Sequence, residues 1–390
     1  MALNKVEFVR NAAGLGRGLP GQDHISGLVT YIADANLPSG FGTTDRVKEV
    51  FSLTQAEALG ITEGDVNSGP LWYHVKEYFR IQPKGDLYIG IYDTTSIDYT
   101  VIKDVQTFAD GKIRQIGVYD QTALATASVT ALHNAAIELD AADQPLSVIY
   151  GPDISGTSNL STLPDLRTLL AHKVSVTIGQ DGEADGAALA VTEGKSITDL
   201  GAILGAISFS SVHESHAWIE KFNLTDGTEL NVPAFANGDL YKNEPSAAVT
   251  AIKDKGYIFI KKETGAAGTY AEDNDTATST ASDLAHVNLV RVMDKAIRVT
   301  RQFMLPNLNA PLFVNDDGTL AEDTLAKFSN DADRGINQML TDGELSGKAV
   351  VIDPAQNVLT TSELIISLVL QPVGVARKIK INVGFSLTIT

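Results

Sequence analysis

The sequence predicts an α/β protein that becomes α+β in its C-terminal third: a layered mixed sheet with flanking helices, and extended β arms at both ends. Three observations predict it. Between Ile25 and Lys262, short apolar strand-like runs alternate with segments of helical periodicity, the pattern of a largely parallel layered sheet. Near the C-terminus, Ile379, Ile381, Val383, Phe385, Leu387 and Ile389 alternate with Lys380, Asn382, Gly384, Ser386 and Thr388, the period of a strand with one apolar face. At the opposite end, a short strand-like run with Leu3, Val6 and Phe8 is separated from the rest by a stretch containing Gly14, Gly16, Gly18 and Gly21. A lone strand does not stabilise itself, so residues 3–9 must pair with something beyond that flexible linker.

Taken in order, residues 25–33 read as a strand and residues 44–58 contain helical stretches. Residues 70–79 are helical and 86–92 a strand. Residues 115–119, 122–140 and 145–150 then form a strand-helix-strand unit, continued by a helix over 163–171 and a strand over 174–178. Residues 197–222 form one long apolar-periodic segment, in which Gly201 and Gly205 lie four apart on one helical face and admit a close neighbour. Residues 257–262 are a strand, and 264–282, rich in Gly, Ala, Thr, Asp and Asn, read as a long exposed loop. An amphipathic helix over 283–304 is closed by Pro306, and a second helix falls within 321–341. The end is β-like: 348–353 is a strand, and 363–371 (ELIISLVLQ), apolar on both faces, reads as a central strand covered on both sides. The expected organisation is an N-terminal arm and hinge (1–22), an α/β body (23–262), a C-terminal domain (263–376) and a C-terminal β arm (377–390).

Composition narrows the function. Hydrophobic residues are 44% and charged residues 20% of the chain, an ordinary globular balance. No run approaches the roughly 18 apolar residues of a membrane span, and the first residues lack a signal peptide's apolar core. The absence of cysteine excludes disulfides, thiolate metal sites and thiol nucleophiles. A net charge of −18 argues against nucleic acid, since phosphates require clustered Lys and Arg. The charge is uneven: residues 1–22 carry +2 and residues 364–390 carry +3, leaving −23 on the remainder. Basic ends on an acidic body suit ends that dock on other copies of that body, and chance explains so small an excess as well.

The candidate chemical motifs are weak. Gly16, Gly18 and Gly21 fit G-x-G-x-x-G, but Pro20 sits inside the turn and no helix opens at Gly21. His213, Glu214 and His216 form H-E-x-H, one residue short of the zinc-protease spacing and without a third ligand. Asp273, Asp275 and the run from Asn315 to Gly318 lack calcium-loop spacing, and a solvated loop and a turn account for them. No nucleophile elbow or phosphate loop is present. No catalytic, cofactor-binding or metal-binding residue is therefore expected, and no cofactor. For the last strand, pairing within its own subunit and addition to a neighbour's sheet both stand; two strand-like basic ends, one of them tethered, favour the second.

The segments KVEFVRNAAGLGRGLPGQDHISGLV, SITDLGAILGAISFSSVHESHAWIEKFNL and DLAHVNLVRVMDKAIRVTRQFMLPNLNAPLF, followed by ELIISLVLQ and KIKINVGFSLTI, resemble the contractile tail sheath proteins of phages and related injection systems. The resemblance spans most of the chain as an arrangement of segments, with no single diagnostic motif. It implies a structural protein, not an enzyme, that stacks as six-fold rings in a helix around an inner tube protein, capped by baseplate and tail terminator proteins. It also implies a place in a virion tail or injection particle assembled in the bacterial cytoplasm. By the same resemblance, Leu3, Val6 and Phe8 belong to an N-terminal arm, Gly14, Gly16, Gly18 and Gly21 to its hinge, and Ile379, Ile381, Val383, Phe385, Leu387 and Ile389 to a C-terminal arm. Residues 363–371 are the candidate acceptor strand. Contraction then releases energy stored in the extended lattice, without nucleotide. A soluble α/β enzyme with an unrecognised site, or another phage structural protein of the capsid or baseplate, remains the alternative.

Overall fold

Successive residues of a strand point to opposite faces, and in this chain both faces are apolar. Leu28 enters one core and its neighbour Val29 the other, so helices must cover the sheet on both sides. The computed structural model describes residues 21–385. The expectations at Leu3, Val6, Phe8, Gly14, Gly16, Gly18, Leu387 and Ile389 lie outside the described residues.

In chain order the elements are β1 (Ser26–Tyr31), β2 (Val47–Val50), α1 (Leu53–Ala58), α2 (Gly69–Ile81), β3 (Leu87–Tyr92), α3 (Ile102–Phe108), β4 (Gln115–Ala123), α4 (Thr126–Ala141) and β5 (Ser147–Asp153). There follow β6 (Val174–Thr177), β7 (Gly179–Asp181), α5 (Asp185–Glu193), α6 (Leu200–Phe209), β8 (Pro233–Phe235), α7 (Ser246–Asp254), β9 (Tyr257–Ile258), β10 (Ile260–Lys261) and β11 (Tyr270–Ala271). The last are α8 (Val287–Met304), α9 (Glu322–Thr341), β12 (Leu345–Val351), α10 (Val358–Thr361) and β13 (Ser367–Pro372). Seven strands form one mixed sheet in the order β2-β3-β1-β4-β5-β6-β9. Only β2 runs antiparallel, against β3. Ser26 of β1 sets the register, opposite Leu87 on one side and Gln115 on the other.

One core joins Val29, Val118 and Tyr150 to Val105 of α3 and to Val129 and Leu132 of α4; the other joins Leu28, Ile89 and Ile149 to α2 and α6. The close approach expected at the two glycines is present. A Cβ on Gly201 would fall 2.3 Å from the His74 carbonyl oxygen, and one on Gly205 would fall 2.9 Å from that of Tyr78. Bare backbone there lets α6 lie directly on α2.

Four segments depart from the sequence reading. Residues 163–171 are not a helix but part of a stretch holding short 3-10 turns at Leu160–Thr162 and Leu166–Thr168. Pro164 holds Leu163 extended, at ψ 143°, and Asp165 caps the Arg167 N–H at 2.9 Å. Residues 197–222 are not one helix, since α6 ends at Phe209. The Ser210 hydroxyl donates back to the Ile207 carbonyl at 2.8 Å, and Glu214 accepts the Ser211 N–H at 2.9 Å, so local side-chain bonds compete with the helix. The exposed loop expected over 264–282 is in large part buried: Asp273 through Thr278 are inside, and Ala277 bridges Ala171. Finally, residues 363–371 do not form a covered central strand. They lead into β13, which among the described residues pairs with β12 alone; Val369 of β13 and Ile365 just before it are exposed.

The C-terminal elements rest on a third core, in which Val292 and Ala296 of α8 meet Ile336 and Met339 of α9. Lys173, 3% exposed, fastens α8 to α4, with its Nζ 2.9 Å from Asp140 and 2.7 Å from Asp294.

Gly201→Ala forces α6 away from α2 and lowers unfolding stability by about 1–3 kcal/mol in urea titrations. Gly156→Ala, where an added Cβ meets nothing within 4 Å, changes it by less than about 0.5 kcal/mol.

Candidate assembly surface at the C-terminal ribbon and arm

β12 and β13 form a two-stranded antiparallel ribbon in which Ala349 faces Val369 and Val351 faces Ser367. Its underside carries Val350, Leu368 and Leu370 onto the α8–α9 core. Its outer side leaves Val351, Val369 and the adjoining Ile365 more than half exposed. A ribbon of two strands has two open edges, each presenting unpaired N–H and C=O groups. The apolarity of ELIISLVLQ on both faces is therefore real, but only one face is covered by this chain.

Past β13 the chain continues without a partner strand among the described residues. Ile379 and Ile381 are each 77% exposed, Val383 is 91% exposed, and Phe385 is wholly exposed. Other large apolar side chains such as Val66, Leu170 and Val191 are exposed one at a time, but these four stand together in alternation on one segment, a grouping that marks an interaction surface more often than chance exposure does. At the other end, Gly21 is exposed, with no atom within 4 Å of where a Cβ would sit, and no helix opens there, since β1 follows at Ser26.

Where the C-terminal segment leaves the fold, Arg377 is tied to the residue 273–275 stretch. Its Nε lies 3.1 Å from Asp273 Oδ1, and its Nη2 donates to Asn274 Oδ1 at 2.9 Å. Lys253 Nζ bridges Asp273 and Asp275 at 2.7 and 2.6 Å, and Arg167 reaches Asp275 at 2.7 Å. His286 Nδ1 is 3.1 Å from Asp275 Oδ1, a contact satisfied when Nδ1 carries the proton. Burial by itself would raise the Asp273 carboxyl, but Lys253 and Arg377 outweigh it and bring the group down to about 2. Asp275 is lowered likewise: the His286 hydrogen bond and Lys253 overcome burial and the adjacent Asp273 charge.

Asp273, Asp275 and His286 are the group among the described residues whose ligand atoms converge closely enough for a metal. The cations already around them fill that role, so the pair is an ion network and not a cation site. It occupies the place where the sequence reading put a solvated loop.

The other motifs do not assemble into chemistry. His213, Glu214 and His216 lie in the irregular segment after α6; Glu214 is paired with Lys221 at 2.6 Å, and burial pushes His216 down to about 4. The run from Asn315 to Gly318 is a turn, with the Gly318 N–H donating to the Asn315 carbonyl at 2.9 Å. A recess of about 220 Å³ opens at the ends of β1 and β4, lined by Thr30, Tyr31, Tyr119, Gln121 and Glu193 among others. This is the switch point of the sheet, where α/β proteins hold ligands, but the recess is small for a cofactor and holds no nucleophile–base pair.

Residues 283–390 match a family model described as DUF2586, C-terminal domain, and no curated protein matches the chain. The solved structures it resembles include sheath proteins and chains of the anti-feeding prophage baseplate. The helical sheath of the anti-feeding prophage in its contracted state aligns over 97% of this chain and 100% of that one, with a TM-score of 0.62 and 13% identity. The contracted sheath of the extracellular contractile injection system PVC aligns over 99% and 98%, with a TM-score of 0.62 and 13% identity. The sheath tail protein of Desulfitobacterium hafniense aligns over 95% and 100%, with a TM-score of 0.53 and 10% identity. The fold is that of a contractile-sheath subunit. At such low identity the likeness resides in the arrangement of layers and not in shared side chains, so the sheath fold is retained while its surface is this chain's own.

Within that sheath fold, the structure places Ile379, Ile381, Val383 and Phe385 together on one exposed segment and Gly21 apart from them, before β1. Sequence reasoning missed Asp273, Asn274 and Lys253 as the seat of Arg377. The signal available was a D-x-D pair in a segment whose bases lie more than ten residues away.

Asp273 and Asp275, held below the ordinary carboxylate range, stabilise the fold fully above about pH 4, the unfolded value. As pH falls below that value the unfolded chain binds more protons than the folded one, and the contribution of Asp273 disappears as pH falls through about 2; that of Asp275 is lost in the same direction. Acid unfolding followed by circular dichroism should show stability falling between about pH 4 and pH 2, with a shallower fall in Asp273→Asn.

Proposed function

We infer that this chain is the sheath subunit of a contractile injection particle, a structural protein without catalytic activity. The observation that carries the reading is a sheath fold matched over nearly the whole chain, ending in an apolar alternating segment that its own subunit leaves unpaired. In the proposed assembly, residues 379–389 add as a strand to the ribbon of a neighbouring copy, and β13 is the acceptor edge. Residues 3–9 cross to another neighbour, joined to the body through the glycine-containing residues 11–21. Support comes from the open ribbon edges, from the bare Val351, Val369 and Ile365, and from basic ends facing an acidic remainder.

Magnitudes favour a lattice over an isolated pair. Burying each of Ile379, Ile381, Val383 and Phe385 contributes about 1.5–3 kcal/mol, and each strand hydrogen bond about 1 kcal/mol net. Fixing the backbone costs about 1–2 kcal/mol per residue. The terms are of similar size, so one docked arm is marginal, and stability must come from many arms engaged together. The partners proposed are further copies in stacked six-fold rings, an inner tube protein, and baseplate and terminator proteins. No helix among the described residues is long and apolar enough to cross a membrane. The particle is proposed to form in the bacterial cytoplasm and to contract by exchanging one set of subunit contacts for a better one, without nucleotide.

Negative-stain microscopy of the purified protein should show tubes or stacked rings, and a wild-type chain that stays monomeric at high concentration sinks the sheath reading. Removing residues 378–390, or residues 1–10, should abolish the tubes while leaving the far-UV spectrum and melting temperature near those of the parent. Normal tubes from either truncation would rule out strand exchange by that end.

A further inference from the structure

The points at which the two ends of the described chain leave the folded part are both held by clusters of three cations and two carboxylates, and they differ in the charge that the departing segment supplies. At the N-terminal side, Asp23 accepts from Lys295 Nζ at 2.7 Å and from Arg298 at 2.9 Å, and its carbonyl accepts from Arg291 at 3.3 Å. The acid that shares Lys295 with it is Glu344, at 2.6 Å. Taking Asp23 away leaves three buried or half-buried cations of α8 facing one carboxylate, an arrangement that burial penalises heavily. At the C-terminal side the departing residue is a cation instead. Lys253 and Arg167 already match Asp273 and Asp275 one for one, so Arg377 is a surplus cation, and its side chain is about a third exposed. Its withdrawal leaves no unpaired buried charge; it gives up a partly solvated ion pair with Asp273 and one hydrogen bond to Asn274 Oδ1.

We propose that Arg377 is a releasable clasp that aims the C-terminal arm, whereas Asp23 is a permanent anchor from which the N-terminal tether departs. This rests on the strand-exchange reading above and adds which residues position the arms. With Arg377 seated on Asp273 and Asn274, the segment after it leaves the fold in one direction, and a free subunit presents its arm already oriented to a neighbour's ribbon edge. When the lattice rearranges, the clasp opens at little cost and the arm re-aims without losing its strand pairing. Asp23 does not open, so reorientation of the other arm is confined to the glycine-rich residues before it.

The chain contains no cysteine, so Ala376→Cys gives one site for a nitroxide label beside the clasp. In the soluble subunit at low concentration, the label should be restricted in the parent, become freely mobile in Arg377→Gln, and stay restricted in Lys380→Gln, which removes equal charge outside the clasp. The concentration needed for tube formation should rise about two- to five-fold in Arg377→Gln relative to Lys380→Gln. Asp23→Asn should lower the melting temperature by several degrees, and Arg377→Gln by less than about one degree. A label spectrum unchanged by Arg377→Gln overturns the clasp, as does a melting-temperature loss as large as that of Asp23→Asn. A parent that forms no tubes while its label still responds to Arg377→Gln overturns the sheath reading and leaves the clasp standing.

Discussion

A strand with no partner in its own chain has two unmet requirements: main-chain groups that need hydrogen bonds, and a row of side chains that need cover. This chain carries both at one place. The β12–β13 ribbon has open edges, and beyond it Ile379, Ile381, Val383 and Phe385 stand in water. The remainder of the protein is organised so that these elements stay presented and do not collapse. The seven-stranded sheet is covered by helices on both faces, each with its own core. A rigid, self-sufficient body and an unsatisfied margin are what polymerisation by strand exchange requires.

The charge distribution serves the same end. Elements of the body are joined by buried ion contacts, as where Lys173 ties α4 to α8 through Asp140 and Asp294. Breaking such a pair strands a buried charge, which makes the joint stiff. At Arg377 the contact is instead partly solvated, and its loss strands no buried charge.

Much of the layered fold was legible because it rests on local periodicity. The strands at residues 86–92 and 115–119 and the helices at 70–79 and 321–341 all reveal themselves through spacing, and Gly201 and Gly205 announced the α2–α6 contact. The misreadings share a cause. A serine that bonds back to its own helix at Ser210, a proline that interrupts a helical pattern at Pro164, and acids that turn inward at 273–275 all depend on a competing partner. Composition alone does not reveal which partner wins. The ribbon strand is the instructive case: ELIISLVLQ is apolar on both faces, as a central strand would be, yet in this subunit only one face is covered.

The sequence by itself determined the alternation of elements, the absence of thiol chemistry, the acidic body with basic ends, and the two-residue period of the last segment. These follow from residue type and spacing and need no knowledge of neighbours. Tertiary structure alone decided that β13 lies on an open ribbon, that residues 273–278 are interior, and that Arg377 sits against Asp273 and Asn274. Those depend on which distant segments meet, since burial and pairing are properties of a contact between two parts of a chain and are not encoded in either part alone.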